Sequence, residues 1–88
     1  MKCPLQVGDR VVCISNQGYG RRVFDKEGVV CYVPNNFHPN MLISVRWDDD
    51  IGGHNCSGRC DFGHGWNISI DCLALINNIP KVNIDSLL

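Results

Sequence analysis

The sequence predicts an all-β fold of about five short strands, for three reasons. Short runs of β-branched and aromatic residues alternate with clusters of glycine, proline and asparagine, which is the pattern of strands separated by turns. No stretch of ten or more residues repeats apolar side chains at helical spacing, so a helical bundle is excluded. A chain of 88 residues has enough apolar material for a single core. We therefore expect one small β domain.

The strands are expected where apolar and polar residues alternate between turn signals. Ile43, Val45 and Trp47 alternate with more polar neighbours, which assigns these three side chains to the core. A single turn is expected at residues 71–73. The predicted strands cover residues 10–15, 27–33, 42–47, 66–70 and 75–76.

Two connections are longer than a hairpin needs. Residues 16–26 contain two glycines and the pair Arg21 and Arg22, and are long enough to reach over one end of a small barrel. Residues 48–65 form an eighteen-residue connection with five glycines. Loops of that length are usually functional or disordered, so the second connection is the main candidate for a site.

Charge and hydropathy restrict the function classes. Eight basic residues against nine acidic ones give a net charge of −1, which argues against a broad electrostatic nucleic-acid binder. No apolar run reaches the roughly 18 residues that cross a bilayer, and the first ten residues lack the order of a signal peptide. We therefore expect a cytoplasmic protein with no membrane partner, whose thiols stay reduced.

If the thiols stay reduced, the six cysteines do not form a disulfide scaffold, and they divide into three groups by their place in the sequence. Cys13 and Cys31 are flanked by β-branched residues and are interpreted as buried strand positions. Cys3, near the start of the chain, is expected to be exposed and loosely held. The other three lie in or after the long second connection.

Four side chains within eleven residues of that connection could bind zinc: His54, Cys56, Cys60 and His64. Zinc takes four nitrogen and sulfur ligands in a tetrahedron, and the Cys-x3-Cys-x3-His spacing suits a local metal turn. Cys72 could replace His54 as the fourth ligand. Zinc is therefore the one cofactor that the sequence suggests.

Two other interpretations of the same residues remain open. Phe62 and Trp66 could pin a glycine-rich turn, with the cysteines packed and the histidines hydrogen-bonded. A cysteine and histidine could also form a catalytic or redox pair, but no third group or oxyanion site is evident to complete one. We therefore expect no enzymatic activity.

Four segments carry a resemblance to known proteins: residues 7–11 (VGDRV), 27–30 (EGVV), 45–48 (VRWD) and 66–73. Their order resembles that of small SH3-like barrels, among them Mib/Herc2-type and KOW-like domains. Gly53-His54 followed by GRCDFGHGW at 58–66 is similar to a loop of small phage and bacterial SH3-like proteins. The resemblance covers about residues 5–77, so we divide the chain into a barrel at 1–78 and a tail at 79–88.

The resemblance also implies where a ligand would bind. In SH3-like barrels the first loop and the last long loop commonly flank one groove, which here would gather aromatic rings and guanidinium groups. Such a mixture suits a phosphate, a nucleotide or an acidic peptide. The alternative is that the arginines are ordinary loop residues and that Trp47 and Trp66 only fill the barrel. The expected binding residues are Tyr19, Arg21, Arg22, Arg59 and Trp66, with His54 and His64 nearby.

Two functions follow as expectations. The first is a non-enzymatic binding module that docks onto a host or cellular protein, as a phage-type modulator acting in the host cytoplasm would. The second is a small nucleotide or nucleic-acid binder that uses the loop arginines and aromatic rings, for which a small ligand suits the near-neutral charge better than a duplex. The tail at 79–88 could add an edge strand to its own barrel or to a second copy in a homodimer.

Overall fold

The structure, a computed structural model, describes residues 2–76. Five strands follow one another along the chain, with a 3-10 helix after the first strand and another before the last. The fold prediction of a small all-β domain with about five strands is confirmed. The strands are β1 (Arg10–Cys13), β2 (Glu27–Tyr32), β3 (Leu42–Trp47), β4 (Gly65–Ser69) and β5 (Leu73–Leu75), and the 3-10 helices are Gly18–Val23 and Ile70–Cys72. The tail at 79–88, and with it the predicted extra strand or dimer contact, lies outside the described residues.

All strand pairs are antiparallel, and the sheet order is β4-β3-β2-β1-β5. The first strand therefore pairs with both the second and the last, with Val11 opposite Leu75. Only the three residues Ile70–Cys72 separate β4 from β5, and a 3-10 helix rises about 2 Å per residue. Because so short a link joins one edge of the sheet to the other, the sheet must curl into a small barrel.

The core lies inside this curl, and the alternation predicted for β3 is confirmed. Ile43 and Val45 are fully buried, and Trp47 is 1% exposed. Ile43 pairs with Ile68 of β4, and Val45 pairs with Val30 of β2, so β2, β3 and β4 supply one continuous apolar face. Burial of these side chains is the main stabilising contribution, at roughly 1.5–3 kcal/mol for each large apolar residue.

A β-bulge interrupts the pairing of β2 with β3 at Cys31. Val30 pairs with Val45 and Tyr32 pairs with Ser44, so Cys31 is an extra residue without a partner in β3. A bulge bends its strand and re-aims the side chains on it. Cys31 is accordingly half-buried and is not part of the core cluster. The prediction that Cys31 fills the core is wrong, because Val30 occupies the core face and the next residue of a strand points to the opposite face.

The other barrel cysteines agree with their predicted positions to different degrees. Cys13 is buried in the core as predicted, and burial raises the pKa of its thiol. Cys3 was expected to be exposed and loose, but it is half-buried and packs against the core. Cys72 is buried among the core residues.

The first connection contains a 3-10 helix that is anchored to the barrel. Val23 is fully buried and Gly20 is also buried. A Cβ atom at Gly20 would overlap the backbone carbonyl of Ser15, so only glycine allows this approach. The helix therefore holds its own residues Tyr19, Arg21 and Arg22 at a fixed place beside β4. No helix within residues 2–76 is long and apolar enough to span a membrane.

Candidate binding groove

The eighteen-residue second connection is tied to β4 by backbone hydrogen bonds. The N–H groups of Ile51 and Gly53 both donate to the carbonyl of Gly63, each at 3.0 Å. His54 and Gly65 exchange two further bonds of 2.9 and 2.7 Å, which makes an isolated antiparallel bridge. The order of this long connection is thus explained by main-chain pairing along the outer edge of β4.

The tip of the connection is a tight turn around one carbonyl. The Asn55 carbonyl accepts bonds from the N–H groups of Gly58, Arg59 and Cys60 at 3.1, 2.9 and 3.2 Å. Within the turn Cys56 has φ 49° and Ser57 has φ 59°, both in the left-handed region. That region costs a non-glycine residue roughly 1–2 kcal/mol. The turn folds the 97%-buried Cys56 side chain back toward the sheet.

The four predicted zinc ligands are not gathered around one point. Nδ1 of His54 accepts a 2.9 Å bond from the Cys56 N–H, and Nδ1 of His64 lies 2.8 Å from the Trp47 carbonyl oxygen. Across residues 2–76, no group of three or more His, Cys, Asp or Glu side chains is arranged to hold a metal ion. Zinc binding by this set stays a prediction.

Cys72, the predicted substitute ligand, belongs to another part of the molecule. Its Sγ lies 3.4 Å from the Ser69 Oγ, and it is close enough to Cys13 to contribute to the raised pKa of that thiol. Both neighbours belong to the barrel rather than to the turn at residues 55–60. Cys72 is therefore a packed core residue in this structure.

The turn instead brings two cysteines close to Cys31, the unpaired residue of β2. Burial raises the pKa of Cys31 to about 12, and interactions with Cys56 and Cys60 add to the effect. Burial and the neighbouring Cys56 likewise raise the pKa of Cys60. We call Cys31, Cys56 and Cys60 the thiol cluster. Sequence reasoning missed the part of Cys31, since it assigned this residue to the core and could not show which loop covers the outer face of β2.

Four of the five predicted binding residues converge at one place. The Trp66 indole N–H donates a 3.0 Å bond to the Tyr19 carbonyl. The Arg22 guanidinium carbon lies 4.7 Å from the Trp66 ring centroid, within the range of a cation–π contact, and its Nη1 donates to the Ile51 carbonyl at 3.2 Å. Arg21 lines the same depression with Tyr19, Arg22 and Trp66. The first connection and the long second one therefore meet at Trp66.

Arg59, the fifth predicted residue, lies elsewhere. Its guanidinium carbon is 4.0 Å from the centroid of the Tyr32 ring, and its Nη1 donates to the Cys56 carbonyl at 2.9 Å. It lines a second depression with Tyr32, Ser44, His54 and Asn67, which contains none of the other four predicted binding residues. The three arginines predicted to act together therefore form a pair and a single residue.

A smaller depression extends the Trp66 site along β4. It is lined by Tyr19, Leu42, His54, Trp66 and Asn67, and the His54 and Trp66 ring centroids are 5.7 Å apart. Sequence reasoning did not select Leu42 or Asn67, although a polar Asn67 between the apolar Trp66 and Ile68 of β4 was a usable signal of an outward-facing position. We define the β4 groove as the surface formed by Tyr19, Arg21, Arg22, Leu42, His54, Trp66 and Asn67.

The positive charge in the β4 groove is not compensated by carboxylates. Within residues 2–76, Arg21 and Arg22 lie in no ion pair, and both are exposed. By contrast, Arg10 contacts Asp48 and Glu27 at another part of the surface, and the Asp48 hydrogen bond is the main cause of the raised pKa of Arg10. The groove therefore offers guanidinium groups and aromatic rings to an external acidic group.

Comparison of the chain with known protein families, with curated proteins and with solved structures found no match.

Proposed function

We propose that the protein is a non-enzymatic protein-binding module whose binding surface is the β4 groove. The observation that carries this proposal is the meeting of two distant connections at Trp66, where Tyr19 and Arg22 are held against one ring. A preorganised surface loses little conformational entropy on binding. The groove thus has the rigidity and the mixed aromatic and cationic character typical of protein recognition sites.

Exposure supports the same proposal. The Tyr19 side chain is 52% exposed although its backbone is tied to Trp66, so the ring is available to a partner. Tyrosine, tryptophan and arginine are enriched among the residues that dominate binding energy in protein interfaces. Tyr19, Arg22 and Trp66 supply all three types in one depression.

The alternative, a nucleotide or nucleic-acid binder, is less well supported. It requires Arg59 to act with Arg21 and Arg22, but Arg59 is stacked on Tyr32 and bonded to the Cys56 carbonyl. Base stacking on Trp66 would also compete with the Arg22 guanidinium already 4.7 Å from its centroid. A thermal-shift panel of nucleotides separates the proposals, because a nucleotide binder gains stability with its ligand and a protein-binding module does not.

The setting of the interaction comes from the sequence resemblance alone. Phage-type proteins with a similar loop suggest a partner in a host cell, and we include this setting in the proposal. The groove itself specifies only the chemistry of the contact.

Affinity capture with matched variants tests the proposed function. The wild-type chain and the double variant Tyr19→Ala/Arg21→Ala are immobilised, and proteins retained from a cell lysate are quantified. We expect at least one stoichiometric partner that the variant loses by tenfold or more. Both side chains are exposed and neither makes a described side-chain bond, so the fold is retained.

The control variant is Phe62→Ala/Arg46→Ala, which removes one exposed ring and one exposed arginine outside the groove. Phe62 is 77% exposed, and neither residue lines the β4 groove. We expect the control to retain the partner. Equal retention by all three proteins, or the absence of any stoichiometric partner, would overturn the proposal.

A further inference from the structure

We propose that the β4 groove binds an acidic peptide segment of its partner in extended conformation, and that this segment adds to the sheet as a new strand beside Asn67 and Ser69. The inference rests on the proposed function and specifies its partner. The juxtaposition behind it is an open strand edge next to two uncompensated arginines.

The open edge follows from the sheet order. β4 is the terminal strand, and β3 occupies one of its two sides. On the other side Gly65 exchanges both backbone bonds with His54. Residues two apart in an antiparallel strand direct their N–H and C=O groups to the same side. The main-chain groups of Asn67 and Ser69 therefore point outward, and no strand within residues 2–76 pairs with them.

The groove extends around this edge. Trp66 pairs with the core residue Val45, so its side chain leaves β4 on the core side. Asn67 pairs with Ser44 and Leu42 pairs with Ser69, which directs Leu42 and Asn67 to the outer side of the sheet. A depression lined by Trp66, Leu42 and Asn67 together must lie at the edge of the strand between the two faces. An added strand would enter at that position, in line with the His54 segment.

Charge complementarity selects an acidic occupant. The β4 groove contains Arg21 and Arg22 and no carboxylate, and neither arginine is in an ion pair within residues 2–76. A guanidinium group binds a carboxylate through two parallel hydrogen bonds. In a bound strand, side chains on one side would meet Tyr19, Trp66 and the arginines, so an aspartate or glutamate there gains both bonds. Main-chain pairing supplies affinity, and the acidic side chain supplies specificity.

Two other occupants fit the edge less well. A second copy of the chain would bring the same groove, which has arginines and no carboxylate to offer them. Residues 77–88 contain one lysine and one aspartate, so this segment has no net side-chain charge to match the arginines. An acidic segment of a different protein is therefore the occupant that the charges favour.

A displayed library of random twelve-residue peptides, selected on the full chain, provides the probe. We expect the recovered peptides to be rich in aspartate and glutamate, and the binding of a synthetic copy to weaken as salt rises. We also expect slower hydrogen exchange at the Asn67 and Ser69 amides when the peptide is bound. Recovery of basic or neutral peptides, or of none, would overturn the proposal.

Proline substitution tests the strand addition itself. Asn67→Pro removes an N–H that points away from β3, and proline is tolerated at such positions of edge strands. We expect Asn67→Pro to weaken binding of the synthetic peptide by at least tenfold relative to Asn67→Ala, which loses the same side-chain bond from the Ser44 hydroxyl but keeps the N–H. Circular dichroism checks that both variants fold. If Asn67→Pro does not fold, the main-chain bonds between peptide and β4 can be removed from the peptide instead, by N-methylation of alternate peptide residues. Binding of the N-methylated peptide should then weaken by at least tenfold.

The outcomes separate this inference from the proposed function. If the lysate partner is lost by Tyr19→Ala/Arg21→Ala but peptide binding is unchanged by Asn67→Pro or by N-methylation, the groove binds protein by another mode and the inference is wrong. If the partner is retained by the groove variant, the proposed function itself fails. Dimerisation of the chain that protects the Asn67 amide without peptide would also overturn the inference.

Discussion

The indole N–H of Trp66 donates a 3.0 Å hydrogen bond to the backbone carbonyl of Tyr19, 47 residues earlier in the chain. This bond connects β4 to the 3-10 helix Gly18–Val23, the element that also holds Arg21 and Arg22. The β4 groove is thus held in part by a long-range contact between a side chain and the main chain, beside the contacts of Arg22 with Trp66 and Ile51. A substitution at Trp66 can remove this indole N–H and leave every other hydrogen-bond donor in place.

Replacing Trp66 with phenylalanine is expected to loosen the first connection. Trp66→Phe keeps an aromatic ring but removes the N–H, so the Tyr19 carbonyl loses its partner. A hydrogen bond of this kind contributes about 0.5–1.5 kcal/mol. We expect a comparable loss in the free energy of unfolding, measured by urea denaturation, and faster hydrogen exchange at the Gly20 amide. Phe62→Leu, at an exposed ring outside the groove, should change neither, and an unchanged Gly20 exchange rate in Trp66→Phe would contradict the prediction.

Gly28 is expected to tolerate no side chain. A Cβ atom there would lie 2.6 Å from the Arg46 carbonyl oxygen and 2.8 Å from a methyl group of Val45. Forcing extra atoms into a packed region costs roughly 1–3 kcal/mol. We expect Gly28→Ala to lower the free energy of unfolding by about 2–3 kcal/mol.

Gly8 provides the matched control for this substitution. A Cβ atom at Gly8 would meet nothing within 4 Å, but the residue has φ 98°, so Gly8→Ala tests backbone strain without a clash. A non-glycine residue in left-handed backbone costs roughly 1–2 kcal/mol. We expect Gly8→Ala to cost less than Gly28→Ala in the same urea titrations. If Gly8→Ala lowered the free energy of unfolding more than Gly28→Ala, the close approach of β2 and β3 at Gly28 would be contradicted.

The thiol cluster is expected to make the protein less stable at alkaline pH. Burial and the neighbouring Cys56 and Cys60 raise the pKa of Cys31 to about 12, whereas an unfolded cysteine has a pKa of about 8.5. Between these values the unfolded chain loses the Cys31 proton and the folded protein keeps it. The unfolded state thus binds fewer protons, and the free energy of unfolding falls as pH rises.

Urea denaturation of the reduced protein at several values between pH 8 and 10.5 measures this dependence. Cys31→Ala should give a shallower decrease than the wild type, since it removes the group that titrates between about pH 8.5 and 12. Cys3→Ala, at a cysteine outside the cluster, is the control and should decrease as the wild type does. Parallel curves for Cys31→Ala and the wild type would contradict the assignment of a raised pKa to Cys31.

The stacking of Arg59 on Tyr32 is expected to stabilise the turn at residues 55–60. The guanidinium carbon lies 4.0 Å from the ring centroid, and exposed cation–π contacts are worth roughly 0.5–1 kcal/mol. A double-mutant cycle of Arg59→Ala and Tyr32→Leu should therefore give a coupling of about that size. The same cycle with Arg46→Ala in place of Arg59→Ala should give a coupling near zero. Equal couplings in the two cycles would show that the contact has no specific effect on stability.

Much of the fold could be predicted from local patterns. The strand containing Ile43, Val45 and Trp47 was predicted with its correct bounds, because alternation between core and exterior is imposed residue by residue. The long second connection was also identified, since glycines and turn residues interrupt any strand there. The prediction for Cys31 failed because it relied on β-branched neighbours, whereas alternation from the buried Val30 directs the next side chain away from the core.

The candidate site could likewise be predicted only in part. The sequence selected Tyr19, Arg21, Arg22 and Trp66 as residue types suited to one surface, and the structure brings these four together. It separates Arg59, which stacks on Tyr32 across a different face of the sheet. Whether two arginines share a surface depends on how strands far apart in the chain pair, and a list of residues carries no such information.

The sequence by itself determined the class of fold, the succession of about five strands along the chain and the kinds of side chain available for binding, because these follow from alternation, turn residues and composition. Only the tertiary structure decided that Cys31 lies near Cys56 and Cys60, and that the edge of β4 left unpaired within residues 2–76 lies beside Arg21 and Arg22. The physical reason is that both arrangements are set by strand register and by the curl of the sheet. Those properties arise only when segments distant in sequence pack against one another.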